Sequence, residues 1–162
     1  MVNLGTAMFA ASVVGLFQET IAHLVALAIL MPIVSGMGGN AGTQTLAVVV
    51  RAIATNQLTD SNTLWMIRRE FRIAIANGVM LGVLVGLGTF VIFHNRDLSI
   101  VIAMAMVINN LIAGLAGVLV PVSLERAGVD PAVSSAVFVT TMTDVMGFLS
   151  FLGLATLWGL GG

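Results

Sequence analysis

Residues 99–124 read SIVIAMAMVINNLIAGLAGVLVPVSL, a stretch without a single charged side chain. A helix needs about 20 residues to cross the hydrocarbon core of a bilayer, so this stretch alone is long enough. Four further apolar runs accompany it, at residues 1–17, 20–54, 66–93 and 131–160. We therefore expect an all-α membrane protein with five transmembrane helices, in one domain that covers residues 1–162.

The composition indicates lipid rather than water as the solvent. Hydrophobic residues make up 59% of the 162-residue chain and charged residues 8%, whereas a soluble domain keeps roughly a quarter of its residues charged. The net charge of -1, with six arginines and no lysine, argues against a nucleic-acid partner, which requires a basic face. With no cysteine and two histidines, any metal handled here should be a hard ion bound by oxygen.

Turn-forming and charged residues interrupt the apolar runs at residues 55–62, 94–97 and 125–131. Pro131 suits the first turn of the last helix, with Asp130 as its N-cap. Five of the six arginines surround the second and fourth connections: Arg51, Arg68, Arg69, Arg72 and Arg126. Because positive residues stay on the cytoplasmic side, we expect a multi-pass protein of the cell (inner) membrane, with a cytoplasmic N-terminus and its C-terminus outside.

Two runs carry glycines at helical spacing. Gly78, Gly82 and Gly86 recur every four residues in the third run, and Gly114 and Gly117 lie in the fourth. Such smooth faces favour close packing between neighbouring helices, with a pore lining as the alternative.

Asp144 lies near the middle of the last run, within FVTTMTDVMG at residues 138–147. A carboxylate at this depth costs at least about 2.5–3.5 kcal/mol on insertion scales, so it should face a protein partner or water. Its helical face also carries Thr140, Thr141 and Gly147. We interpret Asp144 as a residue that handles a hydrated divalent cation, with Mg²⁺ as the leading candidate. The structural alternative is a protonated carboxyl group hydrogen-bonded to a neighbouring helix.

A glycine-rich polar passage, PIVSGMGGNAGTQT at residues 32–45, lies inside a run that is too long for one straight span. We expect a broken or kinked helix here. Its freed carbonyls would join the Asn40 and Gln44 amides and the Thr43 hydroxyl as hard oxygen ligands for a cation or its waters. The alternative is a packing segment in which the glycines bring another helix close.

Residues 32–44 resemble the Pro-x-x-x-Gly-x-Gly-Gly-Asn-x-Gly-x-Gln signature of the bacterial MgtE magnesium transporters. Further matches to this family follow along the chain: Arg51-Ala52, Asn110, Pro121, Asp130 to Ala132, and residues 140–147. The resemblance covers essentially the whole chain. Two positions depart from the family pattern, since Val137 replaces a common proline and Ala22 replaces an acid near the outer mouth, where Glu19 is the nearest substitute.

The resemblance implies a homodimer with five transmembrane helices per subunit, a pore at the subunit interface, and Mg²⁺ as the transported ion rather than a cofactor. Asp144 occupies the position of the acid that faces the hydrated Mg²⁺. Gly36, Asn40, Thr43 and Thr140 would lie along the pore and touch the water shell of the ion. The cytosolic N domain and the CBS domains of typical members are absent from this chain, so we expect conduction without their feedback.

Other classes of protein use similar residues. A proton-coupled secondary transporter of another divalent cation or a small metabolite would also need a broken helix and one membrane acid. An intramembrane protease is disfavoured, because each chain offers one embedded acid instead of a pair, and His23 and His94 lie near the ends of runs, away from Ser35. A passive anchor does not explain polar residues at membrane depth. We therefore expect a transport protein and not an enzyme.

Overall fold

The computed structural model describes residues 2–58 and 62–160, and within them it contains helices and turns but no β-strand. The helices are α1 (Val2–Gly15), α2 (Gln18–His23), α3 (Ala26–Ala54), α4 (Thr63–Phe93), α5 (Arg96–Arg126) and α6 (Pro131–Leu157). Thr59, Asp60 and Ser61, which belong to the predicted second connection, lie outside the described residues. The expected all-α class is confirmed.

Four helices are long and apolar enough to cross a bilayer, namely α3, α4, α5 and the part of α6 from Ser135 to Leu157. The apolar helix α1 has 14 residues, and at about 1.5 Å per residue it is shorter than the roughly 30 Å hydrocarbon core. The predicted second span is divided, because Leu24 leaves the helical conformation with φ -135° and ψ 87°. The described residues therefore give four helices that are long and apolar enough to span a membrane, and the fifth span stays a prediction.

The central helix of the bundle is α5, which packs against α3, α4 and α6. Its Ile102 and Met106 side chains are fully buried and form the main core with Leu27 of α3 and Phe151 of α6. α1 packs along α6, whereas α3 and α4 make few contacts with each other. As a result, α3 and α4 stand side by side on α5 with a cleft between them.

Glycines set the distance between α4 and α5. A Cβ atom on Gly78 would lie 3.0 Å from the Val107 Cα, and one on Gly82 would lie 2.8 Å from the Ala103 carbonyl oxygen. Because those atoms belong to the backbone, the two helices pack too closely for a side chain at either position. Two glycines of α5 make similar close contacts with α4 and α3 respectively: Gly114 and Gly117. The predicted packing role of these glycines is confirmed.

Three of the described helix ends have recognisable caps, and the start of α6 is the one whose cap is predicted from the sequence. His94 ends α4 in the left-handed region with φ 51°, and Asn95 caps α5 by accepting a hydrogen bond from the Leu98 amide at 3.0 Å. Asp130 caps α6 by accepting one from the Ala132 amide at 2.9 Å, with Pro131 in the first turn. The connections that follow α4 and α5 are therefore short and well defined.

The glycine-rich passage at residues 32–45 is not a break, because α3 continues through it as a regular helix. The expected break with freed carbonyl ligands is therefore wrong, whereas the alternative of a kink, at a helix that contains Pro32, stays a prediction. Backbone groups that leave a helix inside a membrane find no water to bond, which favours the continuous helix. The glycines instead admit side chains of neighbouring helices: Gly38 meets Asn109 of α5, and Gly42 meets Val139 of α6.

Gly82→Ala should destabilise the protein, because the new methyl group would overlap the Ala103 carbonyl oxygen. We expect a loss of roughly 1–3 kcal/mol, the usual range for overpacked cores. Gly88→Ala is a matched control on the same helix, since a Cβ atom there meets nothing within 4 Å and alanine favours helix. Thermal unfolding in detergent, followed by tryptophan fluorescence, measures the difference. Equal melting temperatures for the two variants would contradict the close contact.

Candidate functional site

Asp144 lies near the middle of α6, on the side that packs against α3. Its Oδ1 atom accepts a hydrogen bond from the Ser35 hydroxyl of α3. The two helices run antiparallel here. Ser35 of α3 contacts Asp144, whereas Gly42, which lies later in α3, contacts Val139, which lies earlier in α6. The Asp144 side chain is half-buried. The carboxylate therefore meets a polar protein partner, as expected for an acid at membrane depth.

A polar cavity opens beside Asp144, between α1 and α6. Its volume is about 320 Å³, far above the roughly 10–15 Å³ that a single water molecule needs. α1 contributes Asn3 and Thr6 to the lining, and α6 contributes Thr140 and Thr141. The cavity therefore has room for a cation together with several of its waters, next to a carboxylate.

The two threonines of α6 keep acceptor capacity for water. Thr140 donates its hydroxyl hydrogen to the Ala136 carbonyl oxygen at 2.9 Å, and Thr141 donates to that of Val137 at 2.6 Å. Because each hydrogen is directed into the helix itself, the hydroxyl oxygens can still accept hydrogen bonds from the waters of an ion. The structure thus brings Thr140 and Asp144 to the same cavity.

Gly36, Asn40 and Thr43 lie on α3 and do not line this cavity. Gly36 and Asn40 are exposed in the single chain, and a Cβ atom on Gly36 would meet nothing within 4 Å. Thr43 is half-buried and donates a hydrogen bond to the Gly39 carbonyl oxygen at 2.9 Å. Within one chain these three residues are not brought together with Asp144, and their pore-lining role stays a prediction.

Asn109 of α5 supports the segment of α3 that carries Ser35. Its side chain is fully buried, and its Nδ2 atom donates a hydrogen bond to the Val34 carbonyl oxygen at 2.7 Å. A Cβ atom on Gly147 of α6 would lie 2.8 Å from the same Nδ2 atom, so the amide fits only beside a glycine. Neither Asn109 nor Ser35 is predicted from the sequence as a site residue. The available signal for Asn109 was its position beside Asn110 in the middle of an uncharged run, where polar side chains tend to be functional.

The oxygen atoms around Asp144 comprise one carboxylate and several neutral groups. Among the described residues, no three His, Cys, Asp or Glu side chains lie close enough together to hold a metal ion. Glu19, the nearest substitute for an acid at the outer mouth, is exposed in the first turn of α2. Such a donor set suits a cation that keeps most of its water ligands, rather than one that is coordinated directly by the protein.

A serine-hydrolase arrangement is not assembled by the described residues. His23 ends α2 and His94 follows α4, whereas the Ser35 hydroxyl donates its hydrogen bond to a carboxylate. A nucleophilic serine needs a base that accepts its proton and is oriented by a third group. Ser35 therefore acts here as a partner of Asp144.

Comparison with known proteins agrees with these features. A family model named MgtE, described as a divalent cation transporter, matches residues 31–154. The chain is 34% identical over 149 residues to the magnesium transporter MgtE of Bacillus subtilis, and 34% identical over 155 residues to that of Thermus thermophilus. These matches cover 92% and 94% of this chain but 33% and 34% of the relatives. The chain thus spans about a third of the length of the curated relatives that it matches.

The matched region contains the residues that α3, α5 and α6 contribute to the site, whereas Asn3 and Thr6 of α1 precede it. Residues 31–154 include Ser35 of α3, Asn109 of α5 and Asp144 of α6, and they make up most of the chain. The chain belongs to the MgtE family of divalent cation transporters.

Proposed function

We propose that this chain carries Mg²⁺ across the membrane, and that the hydrated ion passes Asp144 at the interface of a homodimer. The observation that carries the proposal is a carboxylate beside a polar cavity of about 320 Å³, in a helix that has no other charged side chain. Relatives named magnesium transporters support Mg²⁺ as the ion. Membership of a transporter family also favours transport over catalysis.

The ligand chemistry favours Mg²⁺ over Ca²⁺. Mg²⁺ loses its waters reluctantly and is usually held through them by one or two carboxylates, whereas Ca²⁺ takes six to eight oxygen ligands. The site offers the Asp144 carboxylate together with hydroxyl and amide groups from Thr140, Thr141, Asn3 and Thr6. These neutral groups can accept or donate hydrogen bonds to the waters of the ion. A small octahedral ion that brings its own ligands fits this set best.

A second subunit completes the charge at the site. One carboxylate balances half the charge of a divalent ion, and charge left uncompensated in a membrane is costly. A two-fold axis beside α6 would bring a second Asp144 to the same ion. The dimeric pore thus follows from the charge of the ion and the single acid at this cavity.

The exposed face of α3 supports the same interface. Asn40 is exposed in the single chain, although a polar amide that faces hydrocarbon lacks hydrogen-bond partners. Gly36, one turn earlier, leaves the surface open to close approach. We propose that this face lines the pore in the dimer, with Thr43 one turn further along. Water in the pore then supplies the hydrogen bonds that lipid lacks.

The orientation follows from the helix ends. Arg51 lies near the C-terminal end of α3, Arg68 and Arg69 lie in the second turn of α4, and Arg126 ends α5. These ends lie on one side of a bundle whose spanning helices alternate in direction. By the positive-inside rule this side is cytoplasmic, which gives a cytoplasmic N-terminus and an external C-terminus.

Asp144→Asn should lower the affinity for Mg²⁺ by about two orders of magnitude or more, because each dimer loses two negative charges at similar side-chain volume. At an effective dielectric near 20, a carboxylate and a divalent ion about 5 Å apart attract by several kcal/mol before desolvation. Isothermal titration with purified protein measures the affinity. A Na⁺ current should also appear in bilayers, because no divalent ion then occupies the narrow point.

Asp97→Asn is the matched control, since Asp97 is exposed in the first turn of α5. It should leave both Mg²⁺ affinity and Na⁺ current unchanged. A folded Asp144→Asn protein that binds Mg²⁺ as tightly as the parent would remove Asp144 from the ion path.

Gly36→Cys should form a disulfide-linked dimer under mild oxidation, because Gly36 would face its symmetry mate across the pore. The chain has no cysteine of its own, so each variant carries a single thiol. Gly88→Cys is the control, an equally open glycine on α4. Gly147 is unsuitable for this test because it packs against Asn109. Membranes are oxidised and analysed by gel electrophoresis without reductant, and equal cross-linking of both variants would reject this interface.

A further inference from the structure

Glu70 is a second acid within the bundle, and the transport site does not use it. It lies in the second turn of α4, and its residue is 6% exposed. Its Oε2 atom accepts a hydrogen bond from the Thr45 hydroxyl of α3 at 3.3 Å. A buried carboxylate normally requires compensation by a charged partner or a metal ion. The question is therefore which group compensates the negative charge of Glu70.

A cavity of about 190 Å³ lies beside Glu70 in the cleft between α3 and α4. Its lining is rich in side-chain oxygen: Gln44 and Thr45 from α3, Glu70 and Asn77 from α4, and Asn110 from α5. The volume is sufficient for several water molecules, since one needs roughly 10–15 Å³. Carboxylate, amide and hydroxyl oxygens are the ligands that hard cations prefer.

Asn110 gives an independent sign that a ligand belongs in this cavity. Its residue is 1% exposed, and its Nδ2 atom donates to the Met106 carbonyl oxygen of its own helix at 2.8 Å. Its Oδ1 atom is buried without a hydrogen-bond donor. Buried acceptors are nearly always satisfied, so an orphan of this kind indicates a missing water or ion.

The cavity is separate from the site at Asp144. The two cavities share no lining residue. Glu70 lies on α4, which packs mainly on α5, whereas Asp144 lies on α6, which packs on α3, α5 and α1. A ligand bound at Glu70 would therefore contact α3 from the side opposite to Ser35.

We propose that this cavity is a second cation site, which binds a hydrated divalent cation through the Glu70 carboxylate. The Asn110 Oδ1 atom accepts a hydrogen bond from one of the waters of the ion, and Thr45, Gln44 and Asn77 line the remainder of the shell. One carboxylate with neutral oxygens again suits an ion that keeps its waters. The bound ion links α3, α4 and α5, and so fixes the helix that carries Ser35. This site is additional to the proposed transport function and does not depend on it.

Arg69 acts as a competitor for the same carboxylate. Its Nη1 atom lies 3.6 Å from Glu70 Oε1, beyond a good hydrogen bond, and its side chain is 44% exposed at the mouth of the cavity. The guanidinium also lies over the Trp65 ring, 6.0 Å from the centroid. The side chain can therefore leave the carboxylate and remain on the ring when a metal ion enters.

Mn²⁺ binding, measured by the loss of the free-ion EPR signal and competed with Mg²⁺, tests the proposal. The measurements use purified protein in an Asp144→Asn background, which removes any ion held by Asp144. Glu70→Gln should weaken Mn²⁺ binding at least about tenfold, because it removes the charge but keeps an oxygen that can accept from Thr45. Arg69→Gln should tighten it by about fivefold, because it removes a competing cation. The control Glu125→Gln, at an exposed residue near the end of α5, should have no effect.

Two results would overturn the site. One is unchanged Mn²⁺ affinity in a Glu70→Gln protein with the melting temperature of its parent. The other is an Arg69→Gln variant that binds Mn²⁺ no more tightly than its parent, which would make Glu70 and Arg69 a structural pair. The second result remains decisive if Glu70→Gln does not fold, since Arg69 is partly exposed.

Discussion

Lipid offers no hydrogen-bond partner, so every polar group in the middle of this bundle depends on another part of the protein. The Nδ2 atom of Asn109 meets that constraint by donating to the Val34 carbonyl oxygen, whereas its Oδ1 atom, like that of Asn110, is buried without a donor. Glycines of α3 and α6 provide the space for its amide. Ser35, the next residue of α3, then reaches Asp144. Three helices are thereby held in register around one carboxylate.

α3 connects the two polar regions of the molecule. On one side Ser35 bonds the acid of α6, and about three turns further along Thr45 bonds the buried acid of α4. Gly42 contacts α6 and Thr45 contacts Gly117 of α5, so the helix has little freedom to move sideways. An ion bound at either proposed site would therefore act on the same helix, α3.

The main features of the fold follow from local patterns in the sequence. Apolar length predicts the four helices that are long enough to span a membrane, Asp130 and Pro131 predict the start of α6, and the glycines predict close packing. The helix through residues 32–45 is not predicted, because glycine composition alone does not reveal that neighbouring side chains fill the gaps. The interruption at Leu24 lacks a proline or glycine signal. Contacts such as Ser35 with Asp144 join residues 109 positions apart, and no local pattern encodes that distance.

The order of the helices along the chain has a consequence for biosynthesis. The glycine-packed pair α4 and α5 is made of chain neighbours, so it can assemble soon after α5 leaves the insertion machinery. α6 follows as the last described helix. When Asp144 reaches the bilayer, the hydroxyl of Ser35 and the amide of Asn109 have already been inserted. The newly made acid thus meets a prepared protein surface, and its time in bare hydrocarbon is short.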